Sequence, residues 1–425
     1  MKTCWICLVL LFAATVYAQT KIEVALDHAD AMYKCHEQAV FTVSVMNGDQ
    51  LHKEGKASVR LSNDGLTTFM TKEVDLAAEN PFTVTGTMEK PGVLSLDVDV
   101  AAQPKKLHKV YGAAFEPFKI QPGAELPKDF KDFWDEQAHL PRDFSLDPQL
   151  VPLPRLTNDK VEGFKVSFAI PSGRIYGFLT VPKLPGKYPA IVSVPGAGPG
   201  ATSAPMLEDF VYLVMNVHTY DPDIPGKTIN ESYKELNQGK MYMYHGIPDR
   251  EKTYFHQGIV GIRNAVNWLA KHEKVIPYCI GYHGSSQGGA FGFIQAGLTG
   301  RFAAVVCNVP AMCDHFGADA GRRAGWPQYR NTFLIKNADG TTAFDKETDA
   351  WIGYYDAVNF ASYIKSPIRV IVGFIDMTCS PSSVYAAFNS IPSMDKAIVN
   401  ELNMGHACWK SYGEAQAWMK GIITK

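Results

Sequence analysis

Apolar and polar positions alternate in short pieces through roughly the first hundred residues and then give way to longer apolar runs, so the chain reads as two differently built units. In the first unit Ala39 to Val45, Gly55 to Leu61, Phe82 to Met88 and Val93 to Val100 follow the period of half-buried strands. Asn47-Gly48-Asp49, Asn63-Asp64-Gly65 and Lys90-Pro91-Gly92 supply turns between them. The pattern predicts a small β-sandwich over residues 19–103. A connector follows over 104–150, punctuated by Pro104, Pro117, Pro122, Pro127, Pro141 and Pro148, with a short amphipathic helix around Asp129 to Ala138.

From residue 151 to 425 the pattern changes to alternating strands and helices. Strand patterns lie within Leu156 to Val181 and at Tyr188 to Val194, Phe210 to Val217, Ala303 to Asn308, Ser366 to Asp376 and Lys396 to Leu402. Helical patterns occupy Thr253 to His272, Gln287 to Leu298, Ser382 to Asn389 and Trp409 to Ile422. The continuous β-branched runs suit buried parallel strands, and the alternation predicts an α/β fold.

Within it, Cys279 to Gly289 reads as a strand, a glycine turn and a helix start, the setting in which Gly-x-Ser-x-Gly exposes a nucleophile. The window Gly284-Ser285-Ser286-Gln287-Gly288 makes Ser286, rather than Ser285, the central serine. A strand-to-helix turn needs small residues with or without chemistry, so the motif gains meaning from its partners downstream. Asp376 stands at the carboxyl end of one apolar strand and His406 beyond another, and the order Ser, Asp, His is that of an α/β-hydrolase. His406 is the expected base and Asp376 the expected acid that orients it. Otherwise Asp376 is a turn or capping residue and His406 a surface or packing histidine.

The oxyanion formed by such a serine needs two donors. The backbone N–H of Gln287 is one candidate, and Gly196 or Ala197, in the loop Pro195 to Gly200, supplies the other. That loop lacks the glycine spacing and the Lys-Ser/Thr ending of phosphate-binding loops. His218, His245, His256, His283 and His315 show no metal-ligand spacing, so no metal or cofactor is expected. Between Pro310 and Tyr363 the residues Phe316, Trp326, Tyr329, Phe333, Phe344, Trp351, Tyr354 and Tyr355 are expected either to wall the pocket or to form a subunit interface.

Met1-Lys2-Thr3, the apolar stretch Cys4 to Val16 and the small-residue site ending at Ala18 read as a signal peptide over residues 1–18. Export to the periplasm or the extracellular space is expected, without a membrane anchor, since no later segment is long and apolar enough to span a bilayer. Cys35, Cys279, Cys307, Cys313, Cys379 and Cys408 then remain, too few for a disulfide framework; a Cys307–Cys313 or Cys379–Cys408 bond is open on spacing. The net charge of −2 and the lack of a basic stripe argue against nucleic-acid binding.

The segment from Asp129 to Lys425 resembles the acetyl xylan esterases and cephalosporin C deacetylases, a branch of the α/β-hydrolases. The resemblance rests on Gly284-Ser285-Ser286-Gln287-Gly288-Gly289, on Gly373 to Ser382 and on Gly405-His406. Thr253-Tyr254-Phe255 and Ala304 to Pro310 support it. It implies an α/β-hydrolase fold behind the N-terminal β-sandwich, Ser286, Asp376 and His406 as nucleophile, acid and base, deacetylation of saccharides including xylan-derived ones, no metal, and ring-like homo-oligomers. Two departures stand out. The family's His-Gly-Tyr is Pro195-Gly196-Ala197 here, and its Arg-Gly-Gln is Asn216-Val217-His218. They leave open an esterase for bulkier acyl groups or other glycans, beside a peptidase and a non-catalytic glycan-binding protein.

Overall fold

The strands of the N-terminal unit alternate buried and exposed residues where one face meets a partner sheet, as in Ala39–Asn47. The computed structural model describes residues 20–101, 106–137, 147–332, 334–336, 342–344 and 350–425; the expected signal peptide, residues 1–18, lies outside them. In chain order the first strands are β1 Thr20–Leu26, β2 Met32–Tyr33, β3 Ala39–Asn47, β4 Gln50–Leu51, β5 Lys56–Asn63, β6 Thr67–Asp75, β7 Phe82–Gly86, β8 Gly92–Val100 and β9 Leu107–Phe115. They form a four-stranded sheet of β1, β3, β4 and β7 and a five-stranded sheet ordered β2-β9-β8-β5-β6. Phe41, Val43, Val59, Leu61, Leu96 and Val98 fill the space between the sheets.

The segment expected to be a connector supplies β9, which pairs with β8 along its whole length. Its Tyr111–Phe115 end is buried without alternation, because the five-stranded sheet is covered on both faces. Val93 and Ala114 face away from the sandwich interior and join the core of the larger unit.

That unit is built on β10 Gln149–Pro152, β11 Val161–Ile170, β12 Gly173–Pro182, β13 Tyr188–Val194, β14 Val211–Met215, β15 Val275–Ser285, β16 Ala304–Asn308, then, past a small hairpin of β17 Leu334–Lys336 and β18 Thr342–Phe344, on β19 Ile368–Gly373 and β20 Lys396–Glu401. The nine-stranded sheet runs β10-β11-β12-β14-β13-β15-β16-β19-β20. It is antiparallel from β10 to β14 and parallel from there on. Neighbouring residues go to opposite cores: Val192, Val305 and Val370 to one, Ile191, Val306 and Ile371 to the other. Burial of both faces explains the unbroken apolar runs.

Helices α1 Phe130–Gln137, α2 Ile229–Leu236, α3 Tyr254–Leu269 and α4 Gln287–Thr299 precede β16, and Trp409–Ile423 closes the chain. α3 and α4 pack on one face of the sheet and Trp409–Ile423 on the other. Register aligns Val194 with Gly284, Ser285 with Asn308 and Gly373 with Glu401, so the loops after these strands open on one edge. Among the described residues no helix is long and apolar enough to cross a membrane.

The aromatic segment differs from both expectations at four positions. Tyr329, Trp351, Tyr354 and Tyr355 are buried in the core, which removes them as a pocket wall or an exposed interface. Phe316 and Trp326 are half-buried, while Phe333 and the side chain of Phe344 lie outside the described residues.

Candidate active site

The turn from β15 into α4 is tight because two glycines permit contacts that no side chain would survive. A Cβ at Gly288 would stand 2.0 Å from Val194 O, and one at Gly284 would stand 2.3 Å from Gly288 O. Between them Ser286 adopts φ +58° and ψ −122°, a conformation that L-residues adopt only when the surroundings impose it. Its N–H donates to Asn308 O at 2.9 Å, and its C=O accepts from Ala290 and Ala311, each at 3.0 Å. Ser285 instead accepts from Asn308 Nδ2, which leaves Ser286 as the serine presented at the sheet edge.

His406 Nε2 lies 2.8 Å from Ser286 Oγ, and His406 Nδ1 lies 2.7 Å from Asp376 Oδ2. A carboxylate only accepts, so Nδ1 carries the proton and Nε2 is left to accept from the serine hydroxyl. Asp376 is buried, and its Oδ1 accepts from the backbone N–H groups of Thr378 at 2.8 Å and Cys379 at 2.9 Å. The three residues, which follow the ends of β15, β19 and β20, therefore form one hydrogen-bonded line.

Gln287 opens α4, so its backbone N–H has no partner within the helix and sits at the positive end of the helix dipole. Its side chain is held by Tyr242, whose hydroxyl donates to Gln287 Oε1. Gly196 closes in beside the serine, and a Cβ there would be 3.6 Å from Ser286 Cβ. Ala197 is exposed.

Residues beyond the end of β14 hold the Pro195–Gly200 loop in place. His218 Nε2 donates to Gly198 O at 2.7 Å, while its Nδ1 accepts from Tyr254 Oη at 2.9 Å. Tyr220 Oη donates to Pro199 O, and Asn216 brackets Ala201 through its N–H and C=O. Burial lowers the His218 pKa to about 4, which keeps the ring neutral and its donor aimed at the loop. These supports were not singled out from sequence as loop anchors. The available signal was their place just past a parallel strand on the same edge as Ser286.

Among the described residues, Asp376, Cys379 and His406 alone place ligand-type atoms within 4.8 Å of one another. Their donor set argues against a cation cage. The carboxylate already bonds the imidazole and two N–H groups, and burial pushes the Cys379 thiol well above its ordinary range. All six described cysteines are free thiols, so neither the Cys307–Cys313 nor the Cys379–Cys408 bond is formed. His256 bonds Gln137, and His283 is bracketed by Tyr212 and Tyr412, roles that belong to packing.

Residues 117–420 match the family model described as acetyl xylan esterase (AXE1). Acetyl esterase Axe7A of Xylanibacter ruminicola is 27% identical over 402 residues, covering 93% of this chain and 89% of that protein. The acetyl xylan esterase 1 of a Thermoanaerobacterium species superposes with a TM-score of 0.59 at 23% identity, over 72% of this chain and 98% of its own. An acetyl xylan esterase from a Paenibacillus species gives a TM-score of 0.59 at 22% identity over the same shares. The two structures support the fold. The family model begins just after β9, whereas the Axe7A match reaches back into the N-terminal sheets.

Proposed function

Because the chain belongs to the acetyl xylan esterase family, we propose that it is a serine carbohydrate esterase that removes acetyl groups from saccharides, xylan-derived oligosaccharides among them. The observation that carries this reading is the unbroken line from Ser286 Oγ through His406 to Asp376 Oδ2. A serine hydroxyl is a weak nucleophile, and a neutral imidazole 2.8 Å away is the base it needs.

In the proposed cycle Ser286 Oγ attacks the acetyl carbonyl carbon as His406 Nε2 takes its proton. Asp376 stabilises the imidazolium and holds its orientation. The tetrahedral oxyanion is held by the Gln287 N–H and by a backbone N–H of Gly196 or Ala197. As the C–O bond to the sugar breaks, His406 returns the proton to the departing alkoxide. Water then attacks the acetyl-serine with His406 again as base, and acetate leaves.

The leader pattern over residues 1–18 supports export to the periplasm or beyond, family membership supports a homo-oligomer, and the net charge of −2 without a basic stripe supports the reading that nucleic acid is not a partner. Fractionation of expressing cells tests the location, and light scattering on the purified full chain tests the assembly.

The test of the activity is acetate release from acetylated xylo-oligosaccharides by the full chain, with loss in Ser286→Ala. A second reading, hydrolysis of bulkier acyl esters, is favoured by exposed Ala197 where the family carries an aromatic residue. An acyl-length series separates the two, because an acetate-sized pocket loses activity steeply with each added methylene. Saccharide binding with no covalent labelling by a fluorophosphonate identifies a non-catalytic glycan-binding protein instead.

A further inference from the structure

The turn between β5 and β6 brings the N-terminal β unit against the loop that carries Asp376. Asp64, Gly65 and Leu66 connect β5 to β6, and the Asp64 side chain is buried. Ser382 Oγ donates to Asp64 Oδ2. Arg323 Nε donates to Asp64 O at 2.9 Å and Arg323 Nη2 to Gly65 O at 2.8 Å. Ser380 Oγ in turn donates to Arg323 O at 2.6 Å. Gly65 has φ +71°, and a Cβ there would stand 2.3 Å from Cε of Met377, the neighbour of Asp376. A second contact lies nearby: a Cβ at Gly112 of β9 would stand 2.7 Å from Phe374 O.

Burying a carboxyl is costly, and replacing a buried polar pair by apolar residues is often neutral or stabilising. Burial pushes the Asp64 carboxyl up to about 6. Packing alone therefore gives little reason for an aspartate here. The group does fix a specific geometry, because Ser382 and Ser380 lie at the start of helix Pro381–Asn389, on the segment that begins at Asp376.

We propose that Asp64 is a positioning residue for ester hydrolysis: through Ser382, and with Arg323 clamping the same turn, the N-terminal β unit holds the Asp376–Ser383 segment so that the Asp376 carboxylate faces His406 Nδ1. The inference rests on reading Asp376 as the acid of the site. Asp64 touches no reacting atom and acts only through its neighbours.

The experiment uses the full chain and its Asp64→Ala, Asp64→Asn and Ser382→Ala variants, with 4-nitrophenyl acetate as substrate. Three quantities are read: kcat and KM separately, the downfield proton resonance of the His406–Asp376 hydrogen bond, and the thermal midpoint. Asp64→Ala lowers kcat roughly tenfold with KM within about twofold, since small misplacements of a catalytic group cost rate rather than binding. The downfield resonance weakens in parallel. Asp64→Asn keeps an acceptor for Ser382 Oγ and restores kcat to within about threefold of the parent.

A folded Asp64→Ala chain with parental kcat and resonance, and only a lower thermal midpoint, overturns the proposal. Should Asp64→Ala fail to fold, Ser382→Ala decides, with reduced kcat in support and parental kcat against. Failure of the esterase reading shows separately, as turnover that survives Ser286→Ala.

Discussion

The Ser286 turn and the Asp376 loop lie on the same sheet edge, yet their shapes are fixed in different ways. Ser286 is held by residues next to it in sequence and by the backbones of adjacent strands, with Gly284 and Gly288 removing every side chain from the crossing point. Asp376 is held partly by its own loop and partly by a turn more than three hundred residues upstream, through Asp64 and Ser382. Strain is concentrated in the first and long-range assembly in the second. A local motif can thus specify where the Ser286 hydroxyl points, while orienting its hydrogen-bond partners requires the whole fold.

The contrast yields graded expectations. Ser286→Ala should lower kcat by roughly 10⁶-fold in ester turnover while leaving the thermal midpoint near that of the parent. Asp376→Asn should cost roughly 10⁴-fold, because the amide stabilises the wrong imidazole tautomer while the loop keeps its shape. Gly288→Ala should damage structure as well as rate. Its methyl would collide with Val194 O, and urea denaturation should show a loss of about 3 kcal/mol or more, larger than for any single change in the acid loop.

A pH experiment sharpens the comparison on the loop facing Ser286. His218 has a folded pKa of about 4, below the ordinary imidazole value, so its stabilising contribution is complete above about pH 6.5 and is lost as pH falls toward 4. The unfolded chain takes up the proton that the folded chain refuses. In His218→Gln the amide nitrogen reaches the place of the imidazole Nε2 and donates to Gly198 O but does not titrate. The stability lost between pH 7 and pH 5 should therefore shrink by about 2 kcal/mol relative to the parent, measured by urea unfolding at both pH values. The smallest change in stability is expected for Ser286→Gly, which relieves the positive φ and should raise stability by about 1 kcal/mol, although turnover is lost as in Ser286→Ala.

The parts legible in sequence are those whose cause is local. The runs at Tyr188–Val194 and Ile368–Gly373 read as central strands because both faces are buried, and Gly-x-Ser-x-Gly announces a close backbone crossing. β3, β5 and β8 were visible from apolar content between turns. β6 was not, because it is an edge strand with most of its residues exposed, and β9 was not, because its small residues serve packing on both faces. Chain order put Ser286, Asp376 and His406 on one edge, and they lie within hydrogen-bonding reach there. Nothing local announced His218 as a loop anchor or Asp64 as a neighbour of Ser382, since both depend on contacts made only after the strands assemble. The burial of Trp351 and Tyr355 was hidden for the same reason: aromatic content does not distinguish a pocket wall from a core.

The central claim is that Ser286, activated by His406 and Asp376, forms an acetyl-enzyme on the way to releasing acetate from saccharides. The most direct measurement is intact mass of the full chain during rapid-quench turnover of acetylated xylo-oligosaccharides, beside Ser286→Ala. The account predicts one acetyl adduct per chain, mapped to Ser286, that decays as acetate appears and is missing from the variant. Acetate released at the parental rate by Ser286→Ala, or turnover with the adduct on another residue, would contradict it.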